Sequence, residues 1–249
     1  MSISACNLSI VPLRAEASHR SEMVSQVLFG ENFELLEEGV DFARIRLSET
    51  KYEGWIQNHQ YATVVLSGVK RNNIVDISGA KAISGSKIVH LLHGTVVSGS
   101  TITIGEEHYS IEGTLRDTTI ADFKTELPKL IQFYKNSPYM WGGRSVFGID
   151  CSGLSQVFYK HFGISLMRDA YQQAEGGKTV DFLTEIQPGD LAFFDNEAGR
   201  IVHVGVMIDS ETIIHASGRV RIDKMDSQGI FNTEQNRYTH NLRIVKRYF

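Results

Sequence analysis

The sequence predicts an α+β protein whose helices are gathered in one stretch with strands on both sides of it. Three observations carry this. Residues 1–121 are short runs rich in Val, Ile, Thr and Phe, punctuated by glycine, the pattern of small β units. From Asp122 to Asn136, and again after Cys151, apolar residues recur at helical spacing. From Ile186 onward strand-like runs return, and helices followed by a run of strands mark an α+β domain rather than alternating βαβ units. At 249 residues the chain has room for two to three small domains, and the changes of pattern place them at 1–65, 66–121 and 122–249.

Bulk composition narrows the function classes. An apolar content of 42% argues against disorder, and a net charge of −4 gives no reason to expect nucleic acid as a partner. The acid excess is local: residues 1–65 hold 5 Lys/Arg against 9 Asp/Glu. That suits a cationic ligand group, or simply solubility. Neither CxxC nor HExxH occurs and no ligand cluster stands out, so no metal and no cofactor is expected. The two cysteines, Cys6 and Cys151, either pair with each other or leave Cys151 free; one bridge is not a disulfide framework. The first residues lack a basic segment followed by an apolar core, and no run approaches the length of a membrane span. As written, the chain is expected to be a cytoplasmic monomer without membrane association; a lost export signal would make it periplasmic or exported.

In chain order, strands are expected at 7–14, 26–29, 32–37, 42–47 and 52–56, with Gly30-Glu31 and Gly39 as breaks, the spacing of a small β-barrel. Gly79, Gly85, Gly94, Gly99, Gly105 and Gly113 punctuate the middle segment, where 101–104 alternates and 108–112 returns. This reads as a second small barrel acting as a spacer, with His90, His93 and His108 as solvent or core residues. Next, Phe123, Leu127, Leu130, Ile131 and Tyr134 form a helical stripe in which Pro128 is tolerable only near the first turn; Pro138 ends it. A glycine-rich loop, Tyr139-Met-Trp-Gly-Gly to Gly148, leads to a helix that starts at Cys151 and buries Leu154, Val157, Phe158 and Phe162 before Gly163. A short helix over 169–174 and strands ending at Phe194 and over 201–208, 212–216, 220–222 and 242–248 complete the chain.

The chemistry gathers at Cys151. A thiol in the first turn of a helix meets free backbone N–H groups and the positive dipole end, which lower its pKa and can receive an oxyanion. A hairpin centred on Asp209 would place His203 directly opposite His215, about 5 Å apart between Cβ atoms; a shifted turn would move His215 to the diagonal or to the other face. Cys151 is then the nucleophile, His203 the base, and His215 the residue that fixes the His203 ring, as a weaker stand-in for a carboxylate. Asp150, just ahead of the helix, is placed to cap it through its carboxylate. So close to the thiol it opposes a thiolate unless a cation neutralises it, which a substrate ammonium would do. Trp141 is a pocket wall or core, and Tyr139 is placed to hydrogen-bond near the reacting carbonyl.

Tyr139-x-Trp-Gly-Gly, Gly148-Ile-Asp-Cys-Ser-Gly153, Arg168, Pro188-Gly-Asp-Leu-Ala-Phe-Phe194, His203-Val-Gly-Val and Ile214-His215-Ala occur in this order. Together they resemble the NlpC family of papain-like murein peptidases over nearly all of residues 125–249. Val-Pro-Leu-Arg14, Leu-Phe-Gly-Glu31 and Gly-Trp-Ile56 resemble the bacterial SH3-like domains fused ahead of such peptidases. The resemblance implies a papain-like domain behind two SH3-like barrels and a Cys151–His203–His215 triad. It also implies substrate contacts from Tyr139, Trp141, Asp150 and Ser152, and, from the first module, an acid and a tyrosine at the substrate's amino end, for which Glu22 and Tyr52 match. Met167 stands where the family often has Pro. Ala170 replaces a substrate-contacting Ser, so Asp169 is the candidate to take that contact.

The implied activity is hydrolysis of the γ-D-glutamyl-L-diamino acid bond in free murein peptides with an N-terminal L-Ala, serving cell-wall peptide recycling. The alternatives are an envelope hydrolase acting on intact peptidoglycan, a non-catalytic wall-binding protein, and an acyltransferase; the last needs an apolar channel, which Asp150 disfavours.

Overall fold

The computed structural model describes residues 3–64 and 73–249; the expected boundary between residues 65 and 66 lies outside them. The chain divides into two compact units, Met1–Thr119 with Lys160–Ser165, and Ile120–Tyr159 with Leu166–Phe249.

In the first unit, β1 (Ile3–Cys6), β2 (Ile10–Arg14), β3 (Met23–Leu28), β4 (Asn32–Glu38), β5 (Phe42–Leu47), β6 (Glu53–Gln57) and β7 (Tyr61–Val64) form one antiparallel sheet in the order β3-β2-β6-β5-β4-β1-β7. The alternation visible in the sequence is the buried face: Val11 and Leu13 of β2, Phe33 of β4, Ala43, Ile45 and Leu47 of β5 and Ile56 of β6 pack with Cys6 into one cluster. A second sheet holds β8 (Asn73–Ser84), β9 (Lys87–Leu91), β10 (Val96–Val97), β11 (Thr101–Ile104) and β12 (Glu107–Asp117), in the order β10-β8-β12-β11 with β9 on β8. Its core includes Ala5 of β1 and Phe29 from the turn after β3, so the two sheets share buried surface inside one unit. Gly113 permits the close β8–β12 approach: a Cβ there would lie 2.6 Å from Ala80 Cα. Among the described residues no ladder joins the outer strands of either sheet into a ring.

The second unit begins with α1 (Phe123–Tyr134), which buries Leu127, Leu130 and Tyr134. Pro128 sits in the second turn rather than the first, giving up one helical hydrogen bond. A tight hairpin of β13 (Arg144–Ser145) and β14 (Gly148–Ile149) precedes α2 (Cys151–His161), and α3 (Ala170–Glu175) follows. Gly163, at φ +81°, takes the chain out of α2. The strands β15 (Lys178–Thr179), β16 (Leu191–Asp195), β17 (Ile201–Met207), β18 (Thr212–Ser217), β19 (Arg219–Met225), β20 (Gly229–Asn232) and β21 (Arg237–Arg247) form an antiparallel sheet. Because β21 pairs with β16 and also with β20, the strands from β16 to β21 close into a ring. Ala192, Phe194, Met207, Ile213, Met225, Ile230 and Val245 fill part of the core. Among the described residues no helix is long and apolar enough to cross a membrane.

Candidate active site

The loop before Cys151 is closed on itself by backbone bonds: Gly143 N donates to Met140 O at 2.9 Å, Met140 N to Ile149 O at 3.2 Å, and Asp150 N to Gly143 O at 3.3 Å. Two glycines allow this closeness. A Cβ on Gly143 would lie 2.3 Å from Gly148 O, and one on Gly153 would lie 2.2 Å from Gly143 O. Hence the Trp-Gly-Gly and Cys-Ser-Gly stretches: a side chain at either position would separate the loop from the helix start that carries the thiol.

Asp150 caps α2, its Oδ1 accepting from Gly153 N at 2.7 Å. Its Oδ2 accepts from Gly142 N at 2.8 Å. Both carboxylate oxygens also receive the Arg168 guanidinium, and Arg168 Nη1 donates to Ser152 Oγ at 2.7 Å. A cation already paired with Asp150 is therefore Arg168, itself buried at 3% exposure. The sequence showed Arg168 only as one member of a motif.

Cys151 and Cys6 are both free and buried, so the competing disulfide is excluded. The backbone N–H groups of Val204 and Ser152 act to lower the Cys151 thiol. Burial first, then the Asp150 charge, nevertheless push its thiol up to about 12, more than those N–H groups and Arg168 bring it down. The expected lowering by the helix terminus is present, but desolvation and the Asp150 charge outweigh it at this site.

His203 lies on β17 and His215 on β18, and their rings share a hydrogen bond, Nε2 to Nδ1, at 2.9 Å. The register differs from the expected one. Gly205, not His203, pairs with His215, so the hairpin centre is one residue beyond Asp209 and the two histidines meet on the diagonal of one face. Gly205 leaves room for this lean, since a Cβ there would lie 3.0 Å from His215 Cβ. His203 is held well below the usual histidine range by burial, with His215 and His240 adding to it. His215 is lowered too, burial outweighing the raising effect of Asp223. Near neutral pH the resting pair is a thiol and a neutral imidazole.

Two residues beside this pair escaped the sequence reading. His240, on β21, stacks on His203 with ring centroids 4.1 Å apart and planes 24° apart. Nitrogen atoms of His203, His215 and His240 lie within 4.8 Å of one another, a grouping that has the ligands a metal ion takes and that the sequence did not signal. Asp223, on β19, accepts from His215 Nε2 at 2.9 Å and is gripped by Arg221.

Among the remaining expected residues, half-buried Tyr139 lies within the electrostatic reach of Cys151 and Asp150, and burial foremost pushes its hydroxyl up to about 12. Ser152 is buried against Asp150 and Arg168, whereas Trp141 is 59% exposed, a surface position rather than core. Asp169 is the residue before α3, its N–H donating to Gln172 Oε1 at 3.1 Å. Glu22 is exposed just ahead of β3, and Tyr52 packs on the core of the first sheet just ahead of β6; both belong to the first unit.

Comparison with known proteins agrees with this arrangement. Residues 136–240 match the NlpC/P60 family, and residues 13–60 match the bacterial dipeptidyl-peptidase SH3 domain. The chain is 43% identical over 86 residues to a gamma-D-glutamyl-L-lysine dipeptidyl-peptidase of Bacillus subtilis, a match covering 34% of this chain and 29% of that protein. It is 25% identical over 249 residues to dipeptidyl-peptidase 6 of Lysinibacillus sphaericus, covering 87% and 89% of the two chains. It is 30% identical to the murein DD-endopeptidase MepS/murein LD-carboxypeptidase of Escherichia coli K12, covering 61% of this chain and 77% of that one. The crystal structure of an NlpC/P60 family protein from Bacillus cereus shares the fold, with a TM-score of 0.81 over 99% of both chains at 19% identity. The protein thus belongs to the NlpC/P60 family, with a bacterial dipeptidyl-peptidase SH3 domain ahead of a papain-like peptidase domain.

Proposed function

We propose that this protein is a cysteine peptidase that cuts the bond between γ-D-glutamate and the L-diamino acid in free murein peptides with an N-terminal L-alanine, in recycling of cell-wall peptides inside the cell. The observation that carries the reading is the buried His203–His215 hydrogen bond, with the backbone N–H of Val204, next to His203 on β17, acting on the Cys151 thiol at the start of α2. In the proposed reaction Cys151 gives its proton to His203 and attacks the scissile carbonyl. N–H groups at the start of α2 receive the oxyanion, His203 protonates the departing amine, and water deprotonated by His203 then cleaves the resulting Cys151 thioester and frees the thiol. Tyr139, Trp141, Asp150, Ser152 and Asp169 are the proposed substrate contacts, with Asp150 acting together with Arg168 rather than as an isolated acid. Glu22 and Tyr52 are proposed to confer the requirement for a free amino terminus.

The name of the Bacillus subtilis relative supports this bond specificity, and that of the Lysinibacillus sphaericus relative supports a dipeptidyl-peptidase. The modules proposed are 1–65, 66–121 and 122–249, the middle one a second SH3-like unit and the last of α+β class. The Escherichia coli relative favours a second reading, an envelope hydrolase acting on intact peptidoglycan.

The test is incubation with free L-Ala-γ-D-Glu-L-Lys, its N-acetylated form and polymeric murein, following release of the diamino acid by mass spectrometry. Cleavage of the free tripeptide alone, lost in Cys151→Ala and slowed in Glu22→Gln and Tyr52→Phe, is expected. Cleavage of polymeric murein at an equal rate would move the assignment to the envelope reading.

A further inference from the structure

The geometry points to Asp223 as a positioning residue that fixes the protons of the histidine pair, with Arg221 holding it in place; this rests on the peptidase reading above. Three strands build the device. On β19, residues 221 and 223 share a face, and the β18–β19 register sets Arg221 opposite His215, with Asp223 on the diagonal. Asp223 is 3% exposed. Its Oδ2 accepts from His215 Nε2 at 2.9 Å and from Arg221 Nε at 2.6 Å, while its Oδ1 accepts from Arg221 Nη2 at 2.9 Å. Arg221 is held from its far side by Asn232 Oδ1 at 3.0 Å and Glu234 Oε2 at 2.9 Å.

The proton arithmetic follows from the acceptors. An ionised carboxylate has no hydrogen to give, so the hydrogen between Asp223 and His215 belongs to His215 Nε2. A neutral His215 then has a bare Nδ1, and the hydrogen of its bond to His203 belongs to His203 Nε2. The base nitrogen of His203 is thereby its Nδ1, the ring nitrogen left for the Cys151 proton. Burial raises the Asp223 carboxyl, but the donors of His215 and Arg221 outweigh it and leave it below its ordinary value. The Arg221–Asp223 pair carries no net charge, so it fixes the hydrogen on His215 Nε2 without drawing it across. The third member of the proposed triad is thus an imidazole with a carboxylate behind it.

The experiment compares Asp223→Asn, Asp223→Ala and the double variant Asp223→Ala/Arg221→Met with wild type. An amide at position 223 keeps one acceptor oxygen but turns an NH2 toward either His215 or Arg221, so Asp223→Asn is expected to lose kcat as well, by less than Asp223→Ala. In Asp223→Ala the released Arg221 donors turn to His215 Nε2 and reverse both tautomers. There kcat on the murein tripeptide is expected to fall on the order of 10²–10⁴-fold with KM nearly unchanged, and the double variant is expected to recover part of the loss. Imidazole ¹⁵N chemical shifts read the tautomers directly, and the rate of Cys151 alkylation by iodoacetamide reads the base without any peptide. Both therefore test Asp223 even if the protein cleaves another substrate. Wild-type shifts showing hydrogen on His215 Nδ1 would overturn the proposal. So would an Asp223→Ala protein whose tautomers and alkylation rate match wild type, or a double variant that is slower than Asp223→Ala alone.

Discussion

At Cys151 two influences of opposite sign meet, and their balance decides how the thiol reacts. The start of α2 and the Val204 and Ser152 N–H groups favour a thiolate, while burial and Asp150 favour the thiol and prevail. With the thiol pushed up to about 12 and His203 well below its usual range, the resting site is not an ion pair. Alkylation of Cys151 by iodoacetamide should therefore keep rising with pH through 9 and beyond; a plateau below pH 8 would indicate a preformed thiolate–imidazolium pair. Arg168 is the second residue on which the balance turns. Arg168→Met leaves the Asp150 charge buried without its cation, an arrangement that costs about 3–5 kcal/mol. Its melting temperature should fall sharply, and Asp150→Asn in the same chain should restore part of it. The nucleophile was legible because a glycine-rich loop ending at an amphipathic helix is a local signal. The Arg168–Asp150 pair was not, because nothing in the spacing of residues 150 and 168 shows that the chain between them returns to the helix start.

At the level of elements, the β17–β18 hairpin sets the distance between the two histidines. Alternation put both on one face, and parity alone allows that reading. The register depends on the turn, where Ile208 N donates to Thr212 O at 2.8 Å and Glu211 N to Asp209 Oδ1 at 2.8 Å, which centres the loop one residue later than the sequence suggested. The resulting diagonal contact needs a small residue opposite His215, and Gly205 supplies it. Gly205→Ala sets a methyl 3.0 Å from His215 Cβ and 2.6 Å from Ile213 Cδ1. The Ile213 end can turn aside; the His215 Cβ cannot without moving the ring. A displacement of this order should lower kcat by about 10–100-fold while the fold persists, read by peptidase kinetics beside circular dichroism. Wild-type kcat in Gly205→Ala would show that the His203–His215 bond tolerates a changed strand spacing. Asp223 was hidden for a related reason: its link to His215 depends on the next register, β18 with β19, which turns at Gly218 with φ +70°.

The whole molecule carries several buried neutral histidines, and they couple its stability to acid. In the first unit His93 Nε2 and His161 Nδ1 share a hydrogen bond at 3.0 Å. Burial first, then the charges of His161 and Arg116, lower His93 to about 3. The sequence reading placed His93 among solvent or core residues, and it is core: the middle sheet packs on Ala5 and Phe29, which no local pattern in residues 73–117 announces. A histidine lowered on folding binds fewer protons in the native state than in the unfolded one, so its contribution is complete above pH 6.5. It is lost progressively as pH falls from about 6.5 toward about 3. At pH 5 His93 alone costs about 2 kcal/mol relative to neutral pH. His240, lowered to about 4, and His203 add to the slope in the second unit. The two tryptophans separate the contributions, Trp55 lying in the first unit and Trp141 in the second. In a Trp141→Phe background, the unfolding of the first unit followed by Trp55 fluorescence should shift to lower temperature between pH 7 and pH 5. His93→Leu should lower the melting temperature at pH 7, because the buried hydrogen bond to His161 is lost, and yet shrink the shift between the two pH values. An unchanged shift in His93→Leu would place the acid sensitivity of that unit elsewhere than in the buried pair.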